Sequence, residues 1–350
     1  MDWTPPLYSK GAVDRAGKVL LNPTSTDEDR IGALNIVNNW RTAHNFPLNT
    51  FQVTLRKRAA AIDPSRLVAQ RIKRMSSIEA KLARFTNMRM TQMQDLGGCR
   101  SILNSVKNVQ QLVQSYKDSA IKHKLDALDD YIVNPKPSGY RGVHMIYRYF
   151  SDRSGPDIYN GFFVEMQIRT RLQHTWATAV ETVGTFLQQA LKSSMGEKDW
   201  LRFFSLMGSA FALKERCKAM VPNTPDDPVQ LYREIIDLEA RLSIRNTLAM
   251  YQQVIRVAKD GTKKGEHYYL LTLEPSQRRM TVRGYQRSLL AEASEHYLRE
   301  EERVASQPGA EAVLVSVDSI SSLERAFPNY FLDTTVFLQE LDKLISEKDL

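Results

Sequence analysis

One stretch, Val164–Gly184 (VEMQIRTRLQHTWATAVETVG), constrains this chain more than any other. In its first part apolar and polar residues alternate, a period of two that is typical of a β-strand. One face of that strand carries a carboxylate, a carboxamide and a guanidinium, from Glu165, Gln167 and Arg169. From Arg171 the apolar residues take a helical spacing. Such a strand end can hold a metal and phosphates, but a solvated strand face has the same pattern.

Composition indicates an ordinary globular protein. The chain has 350 residues, enough for two domains, with 42% hydrophobic and 25% charged residues. No run approaches the roughly 18 apolar residues of a membrane span, and the first residues do not resemble a signal peptide. Cys99 and Cys217 are too few for a disulfide framework or a metal cluster. We expect a cytoplasmic protein that is not associated with a membrane.

Positive charge is concentrated in the first half of the chain. The formal net charge is +8, and ten Lys or Arg against two acids lie between Arg56 and Arg89. This excess favours a polyanionic partner, either nucleotide phosphates or nucleic acid. A solvated helical face is the alternative.

The pattern of the first 220 residues predicts an α+β fold, a mixed β-sheet flanked by helices. We expect an irregular segment over 1–25, then a helix that begins at Asp27 with Thr26 as its cap. The further predicted helices span 50–58, 64–78, 106–119 and the stretch after Arg171. The predicted strands span 93–103, 130–133, 143–150 and 161–168.

The rest of the chain predicts a smaller αβ module. Three prolines within 221–228 indicate a linker, and 229–258 forms one long helix or two abutting ones. Strands are predicted over 268–273, 279–285 and 312–317, with helices over 288–306 and 321–346 and a break at Pro328. We therefore predict three parts: a domain over 1–220, a linker with connecting helices over 221–264, and a regulatory domain over 265–350.

A basic stretch begins at Arg71. Lys73, Ser77 and Lys81 follow at intervals of four, which would place them on one face of a helix. Two ammonium groups and a hydroxyl on one face suit a triphosphate. A solvated basic helix has the same spacing.

Asp95 stands just before Gly97, Gly98 and Arg100. By itself such an acid fits a turn. Paired in space with Glu165 it would form a magnesium site, because Mg²⁺ is held by one or two carboxylates together with substrate phosphates.

The segment Lys136–His144 (KPSGYRGVH) combines glycine, proline, aromatic and basic residues. Its glycines allow close approach to a ligand, and Tyr140 offers a ring for stacking a base. Lys136, Arg141 and His144 add donors for phosphate. A nucleotide-binding loop is favoured here, with a packed tyrosine as the other interpretation.

Together these stretches resemble the synthetase domain of the RelA/SpoT family. The resemblance rests on four motifs in the family's order: Arg71-x-Lys73 with Ser77 and Lys81; Asp95-Leu96-x-x-x-Arg100; Lys136-Pro-Ser-Gly-Tyr140; and Glu165-x-Gln167-Ile-Arg169-Thr170 with His174. It implies the mixed sheet described above. It also implies an enzyme that moves the β,γ-pyrophosphate of ATP onto a ribose 3′-hydroxyl.

The resemblance also assigns roles by position. ATP binding falls to Arg71, Lys73, Ser77, Lys81 and Arg100. Asp95 and Glu165 would hold Mg²⁺, and Glu165 would activate the attacking hydroxyl, with Gln167 as the third catalytic residue. Acceptor binding falls to Lys136, Tyr140, His144, Arg169 and His174. Chemistry of this type relies on positioning and on neutralising phosphate charge.

The N-terminal lead and the C-terminal module resemble the fused toxin–antitoxin group called CapRel. That resemblance implies a tail that folds over the ATP site, release by a phage protein such as the major capsid protein, and the 3′-CCA end of tRNA as acceptor. The segment ERAFPNYFLDT is similar to the group's self-neutralising YxxY, with Phe327 at the first tyrosine and Tyr330 at the second. Phe327 keeps the ring and loses the hydroxyl. Both residues, like Phe331, also suit the tail's own core.

Three functions remain as alternatives. The first is a self-inhibited tRNA pyrophosphokinase that blocks translation in phage defence. The second is a small alarmone synthetase that makes (p)ppGpp from ATP and GDP or GTP. The third is a degenerate fold that only binds, against which the complete motifs argue. Basic tail residues would hold an RNA backbone or keep the module soluble: Lys259, Lys263, Lys264, Arg278, Arg279, Arg283 and Arg287.

Overall fold

The computed structural model describes residues 3–190, 197–254, 256–260, 265–277, 279–307, 310–317, 320–327 and 334–346. The α-helices of these residues are α1 (Lys10–Leu21), α2 (Asp27–Ala43), α3 (Asn45–Ile62), α4 (Met75–Arg84), α5 (Val106–Lys117), α6 (Arg171–Ala190), α7 (Glu197–Lys214), α8 (Pro228–Leu242), α9 (Ile244–Val254), α10 (Leu290–Val304), α11 (Ile320–Ala326) and α12 (Thr335–Ser346). The strands are β1 (Leu67–Ile72), β2 (Gly97–Leu103), β3 (Lys124–Asp130), β4 (Val143–Arg148), β5 (Phe163–Thr170), β6 (Arg256–Asp260), β7 (Glu266–Glu274), β8 (Arg279–Gln286) and β9 (Glu311–Ser316).

The described strands form one sheet, in the order β3-β4-β5-β2-β1-β9-β7-β8-β6. β2 pairs with β5, and β6 with β8, in parallel; the other neighbours are antiparallel. The predicted mixed sheet flanked by helices is confirmed. The tail strands extend this sheet rather than forming a second one, because β9 pairs with β1 at Gln70↔Ser316 and Arg71↔Val315.

Helices cover both faces of the sheet. The apolar face of β5 packs with α2, α3 and α5 in the largest core, through Val164, Met166 and Ile168. α6 to α9 and α12 build a second core. In the tail, α10 packs on one face of β7 and β9. α11 packs on the opposite face, where it also contacts β1. The polar face of β5 therefore lies on the side of α6 and α11.

The helix predicted over 64–78 is wrong. Residues 67–72 form β1, a central strand of the sheet. Because both faces of such a strand are buried, its sequence does not alternate, and a short apolar run of this kind fits a helix as well as a strand. The helix α4 begins only at Met75. Lys73 thus precedes the helix, and Lys73, Ser77 and Lys81 do not share one helical face.

Two other predictions of the first half are corrected. The irregular segment over 1–25 contains α1, whose buried Val13, Ala16 and Leu20 have helical spacing. The strand predicted over 130–133 is instead β3, which ends at Asp130; the Asp130 carboxylate accepts hydrogen bonds from the backbone N–H groups of the next residues, which favours a turn. The Thr26 cap is confirmed as a capping box with Asp29.

In the tail, the two-helix interpretation of 229–258 is correct as far as Val254, whereas residues 256–258 belong to β6 and the helix predicted there is wrong. α8 ends at Leu242, and its C-cap Ser243 adopts a left-handed conformation with φ of 48°. α9 is followed by β6. Pro328, the predicted break, lies outside the described residues. The predicted domain boundaries stay predictions. Among the described residues no helix is both long and apolar enough to cross a membrane.

Candidate active site

The polar face of β5 presents Glu165 with its charge stabilised by neighbours. One carboxylate oxygen accepts a hydrogen bond from His144 Nδ1 at 2.9 Å, and the other accepts one from Gln167 Nε2 at 2.8 Å. Burial opposes ionisation, but the hydrogen bonds from His144 and Gln167 hold the pKa of Glu165 below its ordinary value. Glu165 is therefore a carboxylate at neutral pH.

Asp95 lies between two ammonium groups. Lys73 Nζ and Lys81 Nζ donate to its two oxygens at 2.8 and 2.9 Å. Burial opposes ionisation here too, yet the two lysines lower the pKa of Asp95. These residues meet because Lys73 follows β1, Asp95 precedes the antiparallel β2, and Lys81 projects from α4. A hydrogen bond from Lys73 N to Leu96 O, 2.8 Å, joins the two strand ends.

The donor chemistry of Asp95 and Glu165 fits a magnesium ion. The charge of Asp95 acts on Glu165 and raises its pKa, so the two groups lie within electrostatic reach of each other. Both are ionised, and Mg²⁺ prefers such oxygens. Among the described residues no group of three or more His, Cys, Asp and Glu is arranged to hold a metal. The remaining ligands would be phosphate oxygens and water.

The loop before β4 forms one wall of the site. Tyr140 Oη lies 2.6 Å from His144 Nε2, and its ring contacts Tyr131 and Trp176 edge-on. Burial raises the pKa of Tyr140 to about 12, so the phenol keeps its proton and donates to His144. His144 then uses its Nδ1–H for Glu165. Tyr140 is packed in this conformation, and its assigned stacking on an acceptor base stays a prediction.

The other wall is contributed by the tail. The Phe327 ring is fully buried, and the guanidinium carbon of Arg100 lies 4.6 Å from its centre. Arg100 Nη1 also donates to Ala326 O at 3.4 Å, and His174 Nε2 donates to Arg325 O at 3.2 Å. Burial, reinforced by nearby guanidinium charges, holds the pKa of His174 well below its ordinary value. The end of α11 therefore lies against two residues assigned to substrate binding.

Of the remaining assigned residues, some lie on the described strands and helices, and others are outside the described residues. Arg71 pairs with Gly98 across β1 and β2, Ser77 is in the first turn of α4, and Arg169 is buried near the end of β5. The structure describes neither Tyr330 nor Phe331, and Lys263, Lys264 and Arg278 likewise lie outside the described residues. Of Lys259 only the backbone, in β6, is described.

Sequence reasoning missed three charged residues near the site: Arg41, Glu215 and Glu301. Their charged partners are distant in sequence, which is why no local spacing points to them. It also missed a local signal, the capping box of Thr170 and Gln173 at the start of α6.

Comparison with family models gives a match in this region of the chain. Residues 70–184 match the model described as "Region found in RelA / SpoT proteins". The match covers about a third of the chain, and we call residues 70–184 the RelA/SpoT region. The match contains all four motifs, and it indicates a pyrophosphokinase of the RelA/SpoT type. α7 to α12 and β6 to β9 lie beyond it.

Solved structures with similarity to this chain include small alarmone synthetases. The small alarmone synthetase 1 from Bacillus subtilis bound to its product pppGpp has 22% identity and a TM-score of 0.40, over 49% of this chain and 88% of that one. The small alarmone synthetase 2 from the same organism has 19% identity and a TM-score of 0.42, over 51% and 93%. A GTP pyrophosphokinase family protein from Streptococcus pneumoniae has 23% identity and a TM-score of 0.38, over 48% and 83%. The comparison with curated proteins found no match.

Proposed function

We propose that this pyrophosphokinase is self-inhibited by its C-terminal part, uses the 3′-CCA end of tRNA as acceptor, and is released by a phage protein. The observation that carries self-inhibition is the packing of Phe327 on Arg100. Arg100 is only 7% exposed, and Phe327 is fully buried. A nucleotide cannot reach the covered face of this guanidinium while α11 stays in place.

A second contact holds the tail at the other side of the ATP-binding elements. The Glu301 carboxylate of α10 accepts hydrogen bonds from Met75 N at 2.6 Å, Arg41 Nη2 at 2.7 Å and Tyr297 Oη at 2.9 Å. Arg41, fully buried, also reaches Lys73 O at 3.3 Å. We call Arg41, Glu301 and Tyr297 the α10 anchor. It joins the tail to the start of α4 and to the residue that binds Asp95.

Once the tail is released, the residues of the site have separate roles in the reaction. Arg71, Lys73, Lys81 and Arg100 neutralise the phosphates of ATP. Glu165, oriented by His144 and Gln167, accepts the proton of the ribose 3′-hydroxyl. The 3′-oxygen attacks the β-phosphorus, the bond to the α-phosphate oxygen breaks, and AMP leaves. A magnesium ion on Asp95 and Glu165 would supply further neutralisation of phosphate charge.

Charge supports a nucleic-acid acceptor. The chain carries a net charge of +8, and Arg279, Arg283 and Arg287 are exposed on the tail. The resemblance of the tail to the CapRel group supports the phage trigger. Such a trigger must bind the open state more tightly than the closed one, since a ligand shifts an equilibrium only by that difference.

The test is transfer of label from γ-labelled ATP to deacylated tRNA and to GDP, offered side by side. Phe327→Ala in the full chain removes the ring on Arg100, whereas truncation at residue 265 would also expose the edge of β1. We expect label on tRNA, and a rate about tenfold or more above wild type, because loss of a buried ring weakens the closed state by a few kcal/mol.

Phe337→Ala is the matched control. Phe337 is equally buried in the tail but packs on Phe203, Phe204 and Phe211 of α7. Its substitution should not raise transfer. Label on GDP from the unaltered chain would contradict both self-inhibition and the tRNA acceptor, and would make the protein a small alarmone synthetase.

A further inference from the structure

A buried carboxylate outside the RelA/SpoT region contacts the acceptor side of the site. Glu215 follows the last residue of α7, and its side chain is 7% exposed. One oxygen accepts from Arg141 Nη1 and from Gln173 Nε2, both at 2.9 Å. The other accepts from the hydroxyl of Thr170. One side chain just after α7 thus joins the loop before β4, the end of β5 and the start of α6.

Each partner of Glu215 is next in the chain to an assigned acceptor residue. These neighbours are Tyr140, Arg169 and His174. A displacement of the partner therefore moves the assigned residue with it. Glu215 itself is assigned no contact with substrate.

Glu215 also orients both members of the capping box at the start of α6. Gln173 N donates to Thr170 Oγ1 at 3.2 Å, and Thr170 N donates to Gln173 Oε1 at 3.0 Å. The Thr170 hydroxyl hydrogen and the Gln173 amide are left to donate to Glu215. The carboxylate thereby selects one rotamer for each residue.

α7 contacts the same loop at a second place. A Cβ on Gly208 of α7 would lie 2.6 Å from Gly139 O, so the helix and loop backbones are in direct contact. Trp176 of α6 donates from Nε1 to Phe204 O of α7 at 2.8 Å. Gly139 has φ of 96°, which favours glycine at this turn. The position of the loop is therefore set by α7, not by the RelA/SpoT region alone.

The buried charge of Arg141 in this loop has Glu215 as its charged partner. The Arg141 side chain is 2% exposed, and among the described residues its Nε and Nη2 have no hydrogen-bond partner. Glu215 balances this buried charge. A buried charge that has lost its partner is strongly unfavourable, so the loop would move to bring Arg141 to water.

We propose that Glu215 is a positioning residue that holds the acceptor side of the pocket in its binding geometry. The proposal rests on the proposed function for the identity of that side as the acceptor site. Without Glu215, the loop before β4 and the first turn of α6 lose their common support, while the Asp95 side, where ATP is assigned, keeps its own contacts.

The first measurement is hydrogen exchange on the full chain with Glu215→Gln, which preserves shape and removes the charge. We expect amides of 136–142 and 170–176 to exchange about tenfold faster than in wild type, and β1 and β2 to be unchanged. Glu234→Gln is the matched control, since Glu234 of α8 pairs with Arg202 of α7 at 2.6 Å but its side chain is 36% exposed. Unchanged exchange in the two segments, or equal acceleration throughout the sheet, would overturn the proposal.

The second measurement separates binding from stability. In the full chain with Phe327→Ala, Glu215→Gln should raise KM for the acceptor by about tenfold and leave KM for ATP within about twofold. Equal effects on both substrates would show a general structural role and reject positioning. If the Phe327→Ala chain transfers no label to any acceptor, the proposed function fails, and the exchange measurement still decides the role of Glu215.

Discussion

At the scale of residues, the ionisation state of Glu165 depends on a series of hydrogen-bonded side chains rather than on solvent. Tyr140 donates to His144, and His144 donates to Glu165. The pKa of Glu165 is lowered by His144 and raised by burial and by Asp95. A proton acceptor that is ionised yet partly buried suits the abstraction of a hydroxyl proton.

His144→Leu should therefore shift the pH dependence of transfer. Without the donor, the folded-state pKa of Glu165 rises, so the acid limb of the kcat/KM profile should move to higher pH by about one unit. The profile is measured in the full chain with Phe327→Ala. His123→Leu should not move the limb, because His123 lies beside Phe51 and Tyr149, past the end of β4 that is opposite His144. An unmoved limb in His144→Leu would exclude Glu165 as the titrating base.

At the scale of elements, α7 acts as a support for the loop that carries Tyr140. The contact uses two glycines, Gly139 and Gly208, whose backbones approach too closely for a side chain. Trp176 adds a hydrogen bond between α6 and α7. The loop residues therefore occupy one arrangement because a helix from outside the RelA/SpoT region packs on them.

Gly208→Ala should destabilise the fold. The new Cβ would meet backbone atoms of Gly139, and overpacking of this kind costs about 1–3 kcal/mol, which outweighs the helix propensity gained. Gly32→Ala is the control, since Gly32 lies exposed in α2 and no described atom is within 4 Å of a Cβ there. We expect that control to gain up to about 1 kcal/mol. Urea denaturation measures both, and equal midpoints would contradict the close contact.

At the scale of the whole molecule, the tail is held by two contacts on either side of β1. Phe327 packs on Arg100, and the α10 anchor binds the start of α4. Between them, β9 pairs with β1 through two residue pairs. Under the proposed self-inhibition, these three contacts together stabilise the closed state, and release of the tail breaks them.

Glu301→Gln should weaken the closed state without touching the site residues. It removes the charged partner of the buried Arg41, which shifts the closed–open equilibrium by about 1.4 kcal/mol or more and should raise unstimulated transfer by about tenfold or more. Glu302→Gln, one residue further along α10 and exposed, should have no effect. The initial rate of label transfer without any trigger measures this. A rate equal to wild type would show that the α10 anchor does not hold the tail.

Much of the fold could be predicted from the sequence, because it depends on local patterns, and the candidate site residues stay a prediction drawn from the same patterns. Alternation along Val164–Ile168 placed Glu165, Gln167 and Arg169 on the polar face of a strand, and the helix after Thr170 followed from spacing. The Thr26 cap is equally local. β1 was mistaken for a helix because a strand buried on both faces loses its alternation.

Only the tertiary structure decided how distant residues meet. Lys73 and Lys81 bind Asp95 because strand ends are adjacent in an antiparallel sheet, not because they share a helix face. Phe327 contacts Arg100 across 227 positions of chain, and Glu215 contacts Arg141 across 74. The reason is physical: the periodicity of a segment reports which face is buried, but the partner of a buried charge is selected by packing.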